Sequence, residues 1–368
     1  MTAHVPPAGI EIESLAALDD ALAAGLPPAR LRLQDLDLRE YRGLDDRRDL
    51  DQMVVLGGHL SPALDAHLRA QGAIIFPDDP HAAPIRPYRA RLYTADELYA
   101  ELEAGYDATP DARAYGWYQQ GRAHPDVFSA LLQAIHDDSI ADALAEFVDG
   151  HRVIGVMGGH ALSRGTSAYA EAARLGFELA GRGLVVATGG GPGAMEAANL
   201  GAAARDSRDL AEALTIVAEV PGFADVRAWA LAGLRARKVI ETRPVGEERG
   251  RSLGIPTWFY GHEPPNVFGE GIAKFFSNAL REDALLALAG DGVLVLPGAA
   301  GTVQEIFQVA TRAYYSADPP PPLVLVGRRH WTETIPVWPA LRALAAGRPM
   351  AGRIAVVDDL DQALALMQ

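Results

Sequence analysis

Val293-Leu294-Val295-Leu296-Pro297-Gly298-Ala299-Ala300-Gly301-Thr302-Val303-Gln304-Glu305 sets an apolar run, a glycine-bearing turn and the start of a helical pattern in direct succession. A short apolar run bounded by a turn reads as a strand buried on both faces, and the residues after it repeat their apolar positions at helical spacing. A glycine loop between such a strand and a helix N-terminus is an anion site, because unpaired backbone N–H groups and the positive end of the helix dipole meet there. Glu305 follows one helical turn inside. A second loop of this kind lies upstream, where Leu184-Val185-Val186-Ala187-Thr188 runs into Gly189-Gly190-Gly191-Pro192-Gly193-Ala194-Met195-Glu196. Two phosphate cradles and one nearby acid predict chemistry on a phosphorylated small molecule.

Outward from these loops, short β-branched runs alternate with amphipathic stretches from Val153 onward. Strands are expected at Val153–Met157, Leu184–Thr188, Leu214–Glu219, Pro256–Phe259, Val293–Leu296, Pro322–Val326 and Ile354–Val357. Helices are expected at Ser167–Ala180, Ala194–Ala204, Ile272–Ala289, Thr302–Ala313, Ile335–Ala346 and Leu360–Met367. This alternation predicts an α/β fold, a Rossmann-like doubly wound parallel sheet with helices on both faces, with ligands beyond the carboxyl ends of the strands. Residues 1–149 read as an N-terminal α/β extension and 150–368 as the nucleotide-binding domain. Within the extension, Met53–Leu56, Ser61–Gln71 and Ala73–Phe76 form a strand-helix-strand unit, followed by a proline-rich loop at Pro77–Pro87 and helices near Ala95–Ala104 and Val127–Val148. Val54-Val55-Leu56-Gly57-Gly58-His59-Leu60-Ser61 echoes Ile154-Gly155-Val156-Met157-Gly158-Gly159-His160-Ala161-Leu162-Ser163, so the extension is either a reduced copy of the same architecture or a chance likeness between two tight turns. The charged stretch from Arg205 to Leu253 reads as a solvated excursion with a surface helix at Asp225–Arg237, or as a lid or subunit contact.

The chain has 368 residues with 33 Lys plus Arg against 48 Asp plus Glu, and the resulting −15 charge opposes nonspecific attraction to nucleic acid or anionic lipid. Any phosphate must be held locally. No cysteine is present, which excludes disulfides, thiolate metal sites and cysteine nucleophiles. No basic segment leads into an apolar one at the start, and no apolar run reaches the roughly 18–20 residues of a membrane span. A cytoplasmic protein without membrane contact is expected. The histidines lack metal-binding spacing, so no metal is expected, and Lys238 and Lys274 are the only lysines a Schiff-base reaction could use.

Each motif also has a plainer reading. Gly158-Gly159-His160, with Ser163 beyond it, fits a ligand contact or an ordinary tight turn, and His160 fits a surface position. Gly189, Gly191 and Ala194 stand at the G-x-G-x-x-A spacing of dinucleotide-binding loops, and Glu219 could supply the ribose-binding acid of an oxidoreductase. Thr302-Val303-Gln304-Glu305 has the spacing of a capping box, in which Thr302 caps the helix and Glu305 reaches back to it. Arg281 belongs to a helix feeding the Val293–Leu296 strand, where its guanidinium either nears the loop or joins a surface ion pair within Arg281-Glu282-Asp283.

Taken together, Gly189 to Ala197 and Pro297 to Glu305 resemble the LONELY GUY (LOG) family over roughly residues 150 to 368. This family, once mislabelled lysine decarboxylase, includes cytokinin riboside 5′-monophosphate phosphoribohydrolases and bacterial nucleotide 5′-monophosphate nucleosidases. Glu263-Pro264-Pro265-Asn266 resembles the larger bacterial nucleosidases, which also carry an N-terminal extension. The resemblance implies that Glu305 and Arg281 are catalytic. It implies substrate contacts for Gly158, Gly159 and Ser163, for Gly189, Gly190, Gly191, Gly193, Ala194, Met195 and Glu196, and for Pro297, Gly298, Ala299, Ala300, Gly301 and Thr302. The implied reaction is hydrolysis of a nucleoside 5′-monophosphate to base and ribose 5-phosphate, with no cofactor, in a homodimer or larger assembly. The alternative is a non-catalytic nucleotide or cofactor carrier on the same fold. Two positions depart from the family pattern: Ala299 replaces the second motif glycine, and Glu282 follows Arg281 where cytokinin-type members have lysine.

Overall fold

The computed structural model describes residues 10–76, 83–241, 250–261 and 263–367, which leaves the first part of the proline-rich loop, residues 77–82, and residues 242–249 of the charged excursion outside the described residues. The chain forms two compact units, one of residues 1–91 and 125–139, the other of residues 92–124 and 140–368. The division differs from the expected single boundary after residue 149. Helix α3 (Ala95–Leu98) and helix α4 (Pro110–Ala123) belong to the second unit, and α5 (Val127–Val148) contributes to both.

In the first unit, β1 (Ile10–Ile12), β2 (Leu31–Gln34), β3 (Val54–Leu56) and β4 (Ile74–Phe76) pair in chain order, every neighbour parallel. Leu18 of α1 (Leu15–Ala23) and Leu64 and Leu68 of α2 (Pro62–Ala70) pack with Leu31, Leu33 and Val55 in its core. The expected strand-helix-strand unit is present as β3-α2-β4. The strand order never reverses, so this sheet lacks the crevice that a reversal creates.

The second unit is a seven-stranded parallel sheet in the order β11-β10-β9-β5-β6-β7-β8. Its strands are β5 (Val153–Met157), β6 (Val185–Thr188), β7 (Ser252–Gly254), β8 (Gly271–Ile272), β9 (Val293–Val295), β10 (Leu323–Val326) and β11 (Ile354–Val357). The intervening helices are α6 (Ser167–Gly181), α7 (Ala194–Ala203), α8 (Ser207–Val217), α9 (Val226–Glu241), α10 (Asn278–Leu288), α11 (Ala300–Tyr315), α12 (Val337–Ala345) and α13 (Leu360–Ala365). The chain builds outward from β5 to β8, then returns to lay β9 on the other side of β5. That reversal is the doubly wound, Rossmann-like topology the alternation predicts. Gly155, Val156 and Met157 pair with Val293, Leu294 and Val295, so the loops after β5 and β9 leave the sheet side by side. Among the described residues, no helix is long and apolar enough to cross a membrane.

Three expected elements differ. Leu214–Glu219 is not a strand but the end of α8, where Asp206 caps the helix and Asp209, Ala213 and Val217 bury one face at four-residue spacing. The β-branched Thr215-Ile216-Val217 run is overridden by that amphipathic pattern. Pro256–Phe259 also fails as a strand, because proline cannot donate to a central ladder, and the pairing falls on Ser252–Gly254 just before it. The helix expected from Ile272 starts only at Asn278, with Ser277 as its cap, after β8 and the buried Phe275 and Phe276.

Asn199 of α7 locks the helix to two strands. Its Oδ1 accepts from Thr188 Oγ1 at 2.6 Å and from Asn266 Nδ2 at 2.9 Å, and its Nδ2 donates to Ser252 Oγ at 3.0 Å and to the Leu253 carbonyl at 3.1 Å. All of these side chains are buried, so deleting the amide strands several polar groups without water. Asn199→Ala is expected to lower stability by about 3 kcal/mol, measured by urea denaturation; a loss within error of zero contradicts this role.

Candidate functional site

Three loops converge at the carboxyl edge of the second sheet. The Gly159 N–H donates to the Pro297 carbonyl at 3.0 Å, and the Ala194 N–H donates to the Gly159 carbonyl at 3.1 Å. Gly193 makes this possible: its φ is +75°, and a Cβ there would stand 2.6 Å from the carbonyl oxygens of Gly159 and His160. On the β9 loop a Cβ at Gly298 would collide with the Thr302 side chain, while His330 Nε2 lies 2.9 Å from the Gly298 carbonyl and fixes its direction.

The helices that leave the β6 and β9 loops begin without the side-chain cap that several other helices carry. Ser61, Thr109, Thr166 and Ser277 cap their helices with side-chain oxygens, whereas α7 opens on Gly193 and α11 on Ala299 with no side-chain cap. The first-turn amides of α11, at Ala300, Gly301 and Thr302, have no intrahelical acceptor. Pro297, Ala299, Ala300 and Gly301 are exposed and Gly298 is half-buried, so this end of the helix dipole faces solvent and suits an anion. The capping box allowed by spacing does not form. Thr302 is buried inside the helix, and Glu305 turns to Arg281 instead.

Arg281 reaches the site from α10. Its Nη1 donates to Glu305 Oε1 at 3.2 Å, its Nη2 donates to Asn278 Oδ1 at 3.0 Å, and its Nε is buried without a partner. Within Arg281-Glu282-Asp283 an ion pair does form, with Arg281 Nη2 3.6 Å from Glu282 Oε1, but both side chains are buried and it is not a surface pair. Glu282 clamps α10 to α11: its Oε1 accepts from Asn278 at 2.7 Å, and its Oε2 accepts from Gln304 at 2.9 Å and from Gln308 at 2.7 Å. The glycine loop after β6 floors the space between two charged groups. A Cβ on Gly189 would lie 3.4 Å from Arg281 Nη1, and one on Gly191 would lie 3.4 Å from Glu263 Oε2. Burial pushes the Glu305 carboxyl above its ordinary range, Arg281 pulls it back, and the nearby Glu282 and Glu263 charges add to the rise.

Most of the expected contacts share this edge, with distinctions among them. Gly159, Gly189, Gly190, Gly191, Gly193 and Pro297 to Thr302 belong to the three loops, and Met195 lays its thioether over Gly189 and Gly191. Gly158 is buried against Ala194 and Leu296, where it serves packing, and Ser163 is exposed farther along its loop. Glu196 is a correction: it is buried with Arg164, whose Nε donates to its Oε2 at 3.0 Å and whose Nη2 donates to its Oε1, so no carboxylate oxygen is presented to a ligand. This pair anchors the first turn of α7, because Arg164 Nη1 also donates to the Trp229 carbonyl at 3.0 Å. Glu219, the acid an oxidoreductase would need, follows α8 at the surface and pairs with Arg235 at 2.5 Å. Lys274 is buried with Asp111 at 2.5 Å, and Lys238 is exposed on α9, so neither lysine joins the loops. Sequence reasoning assigned no role to Glu263, Glu282, Asn266 or Gln304. Glu263 was visible only in the Glu-Pro-Pro-Asn motif and Glu282 only as a departure from a family pattern.

Two family models match the chain: one described as the SLOG cluster4 family over residues 151–210, and one described as possible lysine decarboxylase over residues 239–367. No curated protein matches it. Among solved structures, the molybdenum cofactor binding protein of the phototrophic bacterium Rippkaea orientalis is 16% identical with a TM-score of 0.36, the match covering 59% of this chain and 96% of that one. The molybdenum cofactor carrier protein of Chlamydomonas reinhardtii is 18% identical with a TM-score of 0.34, covering 58% of this chain and 94% of that one. Likenesses of this size carry nothing about ligand or chemistry.

An NMR titration of the Glu305 carboxyl is expected to find its midpoint above the ordinary glutamate value of 4.5. The folded state then holds this proton more tightly than the unfolded chain, so Glu305 favours folding at acid pH and loses that contribution as pH rises through its midpoint. Glu282→Gln is expected to lower the midpoint; a value at or below 4.5 in the native protein contradicts the account.

Proposed function

Because the chain belongs to the LOG family, we propose that it hydrolyses the N-glycosidic bond of nucleoside 5′-monophosphates, AMP-like nucleotides or cytokinin riboside monophosphates, to free base and ribose 5-phosphate. The observation that carries this reading is the Arg281–Glu305 pair, held at 3.2 Å beside an uncapped helix N-terminus. The family includes enzymes. In this reading the first-turn amides of α11 hold the 5′-phosphate, and that remote binding energy orients the sugar over Glu305. Departure of the base leaves an oxocarbenium-like carbon, whose positive charge an ionised Glu305 stabilises while it takes a proton from the attacking water.

Arg281 holds Glu305 in place, and its charge favours the ionised carboxylate against the opposing effect of burial. With Glu305 and Glu282 flanking it, the guanidinium is already compensated, so the phosphate falls to the helix amides. Ala299 fits this arrangement: its φ of −120° lies outside the left-handed region that favours glycine, and the residue lies at the exposed rim. We propose further that the protein acts as a homodimer or larger assembly in the cytoplasm.

Glu305→Gln is expected to reduce base release from AMP by about 10²–10⁴-fold while leaving the circular dichroism spectrum and nucleotide binding unchanged. Near-normal turnover contradicts the assignment. Wild-type protein that binds nucleoside monophosphates and releases no base is a carrier.

A further inference from the structure

The base that leaves in this reaction carries a bonding electron pair away from C1′, and a proton donor at its nitrogen lowers that barrier. In that reading Glu305 is engaged with the attacking water, and Arg281 is an arginine with no transferable proton at ordinary pH, so neither serves as that donor. A second titratable pair stands across the glycine floor. His160 Nδ1 lies 2.9 Å from Glu263 Oε1, with the imidazole at the rim and 46% exposed. Glu263 Oε2 meets the loop at Gly191, two residues along from the point where Arg281 meets it at Gly189.

Both members of the pair are held by the fold. His160 follows Gly159, whose N–H and carbonyl are tied to Pro297 and Ala194. Its ring also packs edge-on against Phe223 at 6.3 Å. Glu263 precedes Asn266, whose N–H donates to the Gly190 carbonyl at 2.7 Å and whose Nδ2 donates to the Gly191 carbonyl at 3.2 Å. The Glu263 charge is also close enough to Glu305 to be felt there. A carboxylate on one imidazole nitrogen fixes the orientation of the ring, and a positioned imidazole is the commonest general acid.

We propose that His160 is a catalytic acid of this site, oriented by Glu263, and that it protonates the departing base. This inference rests on the hydrolase reading above. The C1′–N bond breaks with its electrons going to the base nitrogen, which takes the proton from imidazolium. Water forms the new bond to C1′ and gives its proton to Glu305. The proton returns from Glu305 to His160 through solvent, and the sum is nucleotide plus water giving base plus ribose 5-phosphate. Glu263 is a positioning residue that acts through the imidazole.

The test compares two substrates on the wild type, His160→Gln and Glu263→Gln. One is AMP, whose base leaves best when protonated. The other is a 4-nitrophenyl β-ribofuranoside 5-phosphate, whose leaving group departs without a proton. His160→Gln is expected to lose about 10²–10⁴-fold in kcat on AMP and less than about tenfold on the nitrophenyl substrate, with KM little changed on either. Glu263→Gln is expected to show the same selectivity with a smaller loss. Equal losses on both substrates make the pair structural and overturn the proposal, as does full activity of His160→Gln on AMP. A wild type that releases no base from AMP defeats the hydrolase reading and this inference together, whereas an active wild type with an unaffected His160→Gln defeats this inference alone.

Discussion

A parallel sheet that grows in two directions from its first strand must leave a gap where the two connections part, and in this chain the gap opens between β5 and β9. Backbone geometry alone sends the connections to opposite faces there, so the peptide groups beyond Met157 and Val295 find no covering helix. Gly159 and Leu296 give their N–H groups to the carbonyls of Pro297 and Met157, so the anion-seeking surface that the topology leaves open is the uncapped N-terminus of α11. The charged groups of the site are arranged around it.

Placing carboxylates beside such a surface costs free energy, because burial disfavours the ionised form. Glu305, Glu282 and Glu263 accept that cost in different ways. Glu282 spreads its charge over Asn278, Gln304 and Gln308, Glu305 depends on Arg281, and Glu263 lies nearer solvent beside His160. Glu196, a fourth carboxylate of the same loops, is removed from the site altogether by Arg164. Glu196 and Glu282 thus hold helices together, and Glu305, paired with Arg281 beside the open end of α11, is the carboxylate we propose for chemistry.

What could be read from the sequence follows the strength of local signals. β5, β6, β9, β10 and β11 are short apolar runs ended by turns, and both glycine loops sit where those runs predict. The helix feeding β9 allowed Arg281 to near the Glu305 loop, but only the family resemblance gave the two a shared role, because 24 residues separate them and no periodicity links α10 to α11. The failures have the same origin in reverse. Thr215-Ile216-Val217 has strand propensity, yet the face formed by Asp209, Ala213 and Val217 decides in favour of α8. Glu196 sits in a loop motif expected to contact substrate, but the first turn of α7 rotates its side chain toward Arg164, a partner 32 residues away. Tertiary pairing of charged side chains leaves no trace in spacing, and this is where the reading of residues stops short.

The central claim is that the amides opening α11 grip phosphate and thereby bring C1′ to Glu305. It is tested most directly by the crystal structure of the Glu305→Gln protein with AMP bound. The account predicts the phosphate on the Ala300–Thr302 amides and C1′ within one water molecule of the residue 305 side chain. A phosphate held elsewhere, or a sugar turned away from that side chain, contradicts it.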